Sequence, residues 1–127
     1  MITGLYAGIC GLLIVGLYVR IVQRRMTAKI AFGSGGDEEL EKRVRAHGNL
    51  VESAPIALIL LYLTEQTELS AIVVHALGMA FIVARLAHAQ GLSSTTGRSI
   101  GRFYGALGTL ILMAVMSLLL IVRSLWV

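Results

Sequence analysis

Arg45, Asn49 and Glu52 stand four and three residues apart within the stretch RVRAHGNLVESAP, residues 43–55. On a helix that spacing puts a guanidinium, an amide and a carboxylate on one stripe, with Gly48 beside them. The apolar run that follows, residues 53–63, is too short to cross a bilayer unless its helix continues back through this stretch. The polar triplet therefore belongs to a membrane-crossing helix or its immediate extension. Counting back from Glu65 as the outer boundary, Glu52 lies about 20 Å into a hydrocarbon core about 30 Å thick, hence about 10 Å below the opposite edge. An ionised group at that depth costs about 2.5 to 3.5 kcal/mol, so the carboxylate must face protein and meet a cation or a donor. Arg98 and Arg102, one turn apart at the start of the last helix, are the expected neighbours, with Arg20, Arg24 and Arg25 as competitors. A single Arg–Glu pair would only fix helix register. Six arginines converging on one level against one carboxylate leave positive charge that an anionic ligand can neutralise. Anionic lipid headgroups compete for Arg20, Arg24, Arg25 and Lys29. His88, three residues after Arg85, falls on the same side and borders the same cleft. Pro55, one turn beyond Glu52, frees the carbonyl of Val51 and is expected to loosen or bend the helix there.

The elements that must hold these groups are helices in a bilayer. The chain is 57% hydrophobic and 14% charged over 127 residues, and residues 2–19, 69–84 and 103–122 carry no charge. The pattern predicts four helices, at about 3–25, 38–66, 69–90 and 98–125, forming one domain over residues 1–127. The fold class is all-α, an integral membrane four-helix bundle. The first run lacks a basic leader and a clear cleavage site, which makes it a retained span. Asp37, followed by Glu38 and Glu39, caps the second helix. Gly33, Gly35 and Gly36 belong to a linker, since no strand precedes them and no Gly-Lys-Ser/Thr follows. The third helix is expected to stop near Gly91 and the fourth to start near Thr95 or Thr96. Gly4 with Gly8, and Gly101 with Gly105, make small-xxx-small pairs that permit close helix approach.

Net charge of +4 would point to nucleic acid in a soluble chain, but here the two faces of the membrane decide its meaning. Ten of the eleven basic residues cluster around the first and third connections, leaving only Arg123 at the other end. The positive-inside rule puts both connections in the cytoplasm and both termini outside. No nucleic-acid partner is expected. Cys10 is the single cysteine, and His47, His75 and His88 have no metal-ligand spacing, so no metal site is expected. His75, on the outer side, reads as a helix-packing hydrogen bond.

The segment RAHGNLVESAP, residues 45–55, resembles the Arg-Ala-x-x-Asn-x-x-Glu-x-x-Pro signature on the second helix of the MAPEG superfamily, membrane-associated proteins in eicosanoid and glutathione metabolism. RLAH at residues 85–88 and RSIGR at residues 98–102 are similar to the same family, as are the four spans and the basic first loop. The resemblance implies a homotrimer that binds glutathione as co-substrate between neighbouring subunits near the cytoplasmic side. It implies glutathione transfer, isomerisation or peroxide reduction on a lipophilic small molecule reached through the membrane lipids. Arg45, Asn49 and Glu52 match positions that hold the glutathione backbone, and His47 stands where the leukotriene-forming member has glutamine. Arg24 or Arg25 matches a basic contact at the end of the first helix. Arg102, with Arg98 as the alternate, resembles the arginine that stabilises the glutathione thiolate. Ser53 stands where eicosanoid-forming members have a tyrosine, and His88 and Leu92 where the leukotriene-forming member has tyrosines. The short loops and the RAHGN wording resemble the bacterial branch, which implies a bacterial inner (cell) membrane.

The implied chemistry is thiol activation. A thiol with pKa about 8.5 is mostly protonated at neutral pH, and a guanidinium beside it favours the thiolate. A helix N-terminus adds positive potential. The competing reading is a non-catalytic lipid-binding or scaffold trimer, which the missing tyrosines favour. A proton-coupled exporter ranks last, because the first span contains no acid.

Overall fold

The computed structural model describes residues 1–94 and 99–126, residues 92–94 by backbone only. Its elements are α1 (Ile2–Ala28), α2 (Glu38–Glu65), α3 (Ala71–Ser94) and α4 (Ile100–Leu125). All four are long and apolar enough to cross a membrane. Each helix packs on its sequence neighbour, α2 also meets α4, and α3 also meets α1. Among the described residues α1 and α4 do not meet, so α2 and α3 form the middle of the bundle.

Asp37 caps α2 as its position suggests: its side chain accepts from the Leu40 N–H at 2.7 Å, satisfying one of the donors that the first turn leaves open. Lys29 ends α1 in the left-handed conformation, with its N–H bonded to the Arg25 carbonyl. α2 runs unbroken through Pro55, whose ring lies on the exposed face. The break between α3 and α4 differs from expectation. α3 does not stop at Gly91 but continues to Ser94, and α4 starts at Ile100 with Ser99 as its cap, the side chain accepting from the Arg102 N–H at 3.1 Å. Thr95 and Thr96, the expected starts, lie outside the described residues. Gly91 serves packing instead: a Cβ there would stand 2.6 Å from the Arg102 backbone nitrogen.

The same device continues along the α3–α4 seam. A Cβ on Gly101 would come within 2.8 Å of the Ala87 carbonyl oxygen, and one on Gly105 within 2.6 Å of the Ala84 carbonyl oxygen. In lipid, helices associate through close van der Waals packing rather than by escape from water, so small residues bring these two backbones together. Gly4 and Gly8 do no such work within the protomer, where both are exposed. Gly78 makes room for the buried ring of Tyr6, which a Cβ would overlap. The Tyr6 hydroxyl donates to the His75 carbonyl at 2.9 Å and meets His75 Nδ1 at 3.0 Å, so His75 does form a helix-packing hydrogen bond. At the same end, Glu65 reaches from α2 to the open N-terminus of α1, accepting from Ile2 N at 2.6 Å and Thr3 N at 2.9 Å. The core between these ties is built by all four helices, with Cys10, Leu50, Leu61, Phe81 and Met116 among its buried members.

Candidate functional site

Arg85 is a buried polar side chain that ties three helices together. It is 5% exposed, midway along the apolar α3. Its Nη1 donates to Asn49 Oδ1 and, at 3.2 Å, to Ser53 Oγ, while Nη2 donates to the Gly105 carbonyl at 2.8 Å. One guanidinium thus joins α2, α3 and α4. Its acceptors are all neutral, and its Nε has no partner. The Gly105 carbonyl also accepts from the Thr109 hydroxyl at 3.0 Å. Arg85 can reach that carbonyl because Gly105 keeps α4 close.

This contact orients Asn49. Arginine only donates, so the amide oxygen must face Arg85 and the Nδ2 group must point elsewhere. Ser53 is equally committed, donating back to the Asn49 carbonyl at 2.9 Å while receiving from Arg85. Around α2, Arg45 and Glu52 lie within about 20° of each other, Asn49 about 60° to one side and His47 about 140° to the other. The protomer divides the predicted stripe accordingly. Arg45 and Glu52 are exposed, Asn49 turns inward to α3, and His47 faces α1, its ring 5.7 Å from that of Tyr18.

The remaining predicted residues separate in the same way. Arg24 makes a two-pronged contact with Asp37, Nε to Oδ1 at 3.1 Å and Nη2 to Oδ2 at 2.7 Å. That guanidinium and the Leu40 N–H hold the Asp37 carboxyl below its ordinary range. Arg25 donates to the Gly33 carbonyl at 2.8 Å. Both arginines brace the first connection. Arg102 is half-buried in the first turn of α4, where the helix N-terminus adds positive potential. His88 is buried in the α3–α4 seam, its backbone nitrogen 2.7 Å from where a Cβ on Gly105 would stand. Arg98 and the Leu92 side chain lie outside the described residues.

The sequence profile of the MAPEG family matches residues 3–122, nearly the whole chain and both halves of the arrangement just described. The chain belongs to the MAPEG family. Among curated relatives it is 36% identical over 91 residues to the inner membrane protein YecN of two Escherichia coli strains, a match covering 72% of this chain and 70% of that one. As a MAPEG chain it is an all-helical integral membrane protein, and the relatives found are bacterial.

Arg85 and Tyr18 are the residues that sequence reasoning did not put forward for the site. Arg85 had a signal, as the one arginine between residue 69 and the end of α3. Nothing in the spacing tied it to Asn49, which stands 36 residues earlier.

Proposed function

We propose that this MAPEG chain is a membrane-embedded glutathione transferase or peroxidase-like enzyme, assembled as a homotrimer in a bacterial inner membrane, with both termini outside the cytoplasm. The observation that carries the reading is the exposure of Arg45 and Glu52 on one face of a membrane-crossing helix. By the count from Glu65, Arg45 stands at the cytoplasmic edge and Glu52 about 10 Å inside it, where an ionised group facing hydrocarbon costs up to about 2.5 to 3.5 kcal/mol on the lenient scale, so this face needs a polar cover at Glu52. A second copy of the chain and a zwitterionic ligand supply one together. Glutathione offers carboxylates for Arg45 and an ammonium for Glu52, while Asn49, its oxygen held by Arg85, presents Nδ2 donors to a ligand oxygen. Arg24, Arg25, His47 and His88 lie off that face within one copy of the chain and would contribute only from a neighbouring copy or after rearrangement on packing.

Arg102, helped by the first turn of α4, stabilises the thiolate, with Arg98 as the alternate. The sulfur lone pair forms a bond to the carbon of a lipophilic electrophile as the leaving group departs, and the thiol proton passes to water. With a hydroperoxide, two glutathione molecules give the disulfide, the alcohol and water.

The test is equilibrium binding of glutathione to the purified full-length protein in nanodiscs. Binding is expected to weaken about tenfold or more in Arg45→Ala and in Glu52→Gln, since each loses a charge-assisted hydrogen bond. Absence of binding to the unmodified protein refutes the proposal. Turnover of a general electrophile unchanged in both Arg102→Ala and Arg98→Ala removes the thiolate roles.

One observation favours the second reading, a non-catalytic lipid-binding or scaffold trimer. Ser53, where eicosanoid-forming members carry a tyrosine, donates its only hydroxyl proton to its own helix and has none for a thiol. That reading expects saturable lipid binding without glutathione-dependent turnover.

A further inference from the structure

On the other side of α2, α1 and α3 leave a cleft of about 500 Å³. Leu50 forms part of it, about 160° round α2 from Glu52, so the cleft is separate from the Arg45 and Glu52 face. Leu13, Leu17, Leu50 and Leu86 make its apolar wall, and its polar members are Arg20, Arg85 and Gln90. The polarity is graded along the membrane normal. Leu13, Leu17 and Arg20 follow one another along one face of α1, and Leu13 lies about 10 Å deeper than Arg20. Gln90 stands near the same basic end of the bundle, at the end of the membrane-crossing part of α3. The cleft therefore has a polar head and an apolar tail.

Among the described residues that line the cleft there is no carboxylate. Glu39 acts on Arg20 electrostatically from outside the lining, but it is already paired with Arg43 at 2.8 Å. Arg20 is exposed and forms no ion pair among the described residues. Among the described residues Arg85 is bonded to an amide oxygen, a hydroxyl and a carbonyl, and its Nε has no acceptor. Arg20 thus stands at the opening, and the buried Arg85 adds positive charge in the wall, of a cleft that holds one acyl chain, in the size range of small-ligand pockets. In a bilayer, basic pockets between helices bind anionic headgroups, because phosphate is the anion available at that level. A zwitterionic headgroup would return a positive charge to a site that already has two.

We propose that the cleft between α1 and α3 binds one anionic phospholipid per protomer, its phosphate at Arg20 and Gln90 and one acyl chain along Leu13, Leu17, Leu50 and Leu86. The site is independent of the glutathione reading and survives its failure.

The test is native mass spectrometry of the full-length protein in mild detergent, titrated with phosphatidylglycerol or with phosphatidylethanolamine of the same chains. One phosphatidylglycerol per protomer should be retained, at least about tenfold more tightly than phosphatidylethanolamine. Arg20→Gln should weaken it about tenfold, the loss of a charge-assisted contact, whereas Arg123→Gln at the opposite end should not. Leu17→Trp should exclude both lipids by filling the cleft. Because Arg20 is exposed, its variant tests the proposal even where Leu17→Trp fails to fold. Equal retention of the two phospholipids, unchanged binding in Arg20→Gln, or uptake of palmitate but not phosphatidylglycerol overturns the proposal. Glutathione titration of Arg20→Gln distinguishes the two sites, since lipid loss with glutathione affinity intact is the expected pattern.

Discussion

A buried guanidinium satisfied by neutral acceptors is sensitive to the loss of any one of them. Asn49→Ala removes the amide oxygen from Arg85 and should cost about 3 kcal/mol, read as thermal unfolding in detergent. Asn49→Asp separates structure from binding. The carboxylate accepts from Arg85 at least as well as the amide did, so stability should be retained. The Nδ2 donors are gone, however, so glutathione affinity should fall. If Asn49→Asp binds glutathione unchanged, Asn49 serves Arg85 alone. The exposed Arg45 and Glu52 have no such internal duty, and their substitution should leave the protomer's stability within about 0.5 kcal/mol.

At the scale of the helices, the first connection and the α3–α4 seam make the clearest demands. Asp37 caps α2 and pairs with Arg24, and its folded-state pKa is depressed. A depressed carboxyl contributes stability that is complete above its unfolded pKa of about 4 and is lost as pH falls through the lower folded value. Asn at this position still caps but cannot titrate. The stability difference between the native chain and Asp37→Asn should therefore be constant from about pH 8 to 5 and shrink below about pH 4, measured by thermal unfolding. In the seam, Gly105→Ala drives a methyl against the Ala84 carbonyl and the His88 nitrogen. It should destabilise by about 1 to 3 kcal/mol and disturb the carbonyl that receives Arg85. Gly11→Ala, where a Cβ meets nothing within 4 Å, should lose no stability in the protomer.

The whole molecule raises the question of what covers its charged face. The protomer exposes a long apolar surface on α4, including Phe103, Tyr104, Leu110 and Leu118, which lipid can satisfy. Glu52 is different, since lipid cannot satisfy a carboxylate about 10 Å below the edge. Glu52→Lys should break the assembly that a copy of the chain would provide, with native mass spectrometry showing a shift from trimer to monomer. A trimer that persists in this variant places the contact elsewhere. Four spans bring both termini to one side of the membrane, and the orientation proposed above makes that side the exterior. Alkaline phosphatase fused after residue 127 should therefore be active and a fluorescent protein there dark.

The bilayer class, the four helices and the Asp37 cap were legible because each depends on residues close in sequence: charge-free length, a capping carboxylate, a run of acids. The stripe of Arg45, Asn49 and Glu52 was legible for the same reason, as helical spacing alone puts the three near one another. The tertiary structure decided their separation. Asn49 is drawn inward by Arg85, a residue of another helix that can come so close only because Gly105 lets α4 approach. Gly91 likewise looked like a stop signal and is instead a contact point, since a glycine's local freedom and the space it leaves for a neighbouring backbone look identical in sequence. The cleft between α1 and α3 belongs wholly to packing, for its wall is assembled from three helices and its charge comes from two arginines that no spacing rule connects.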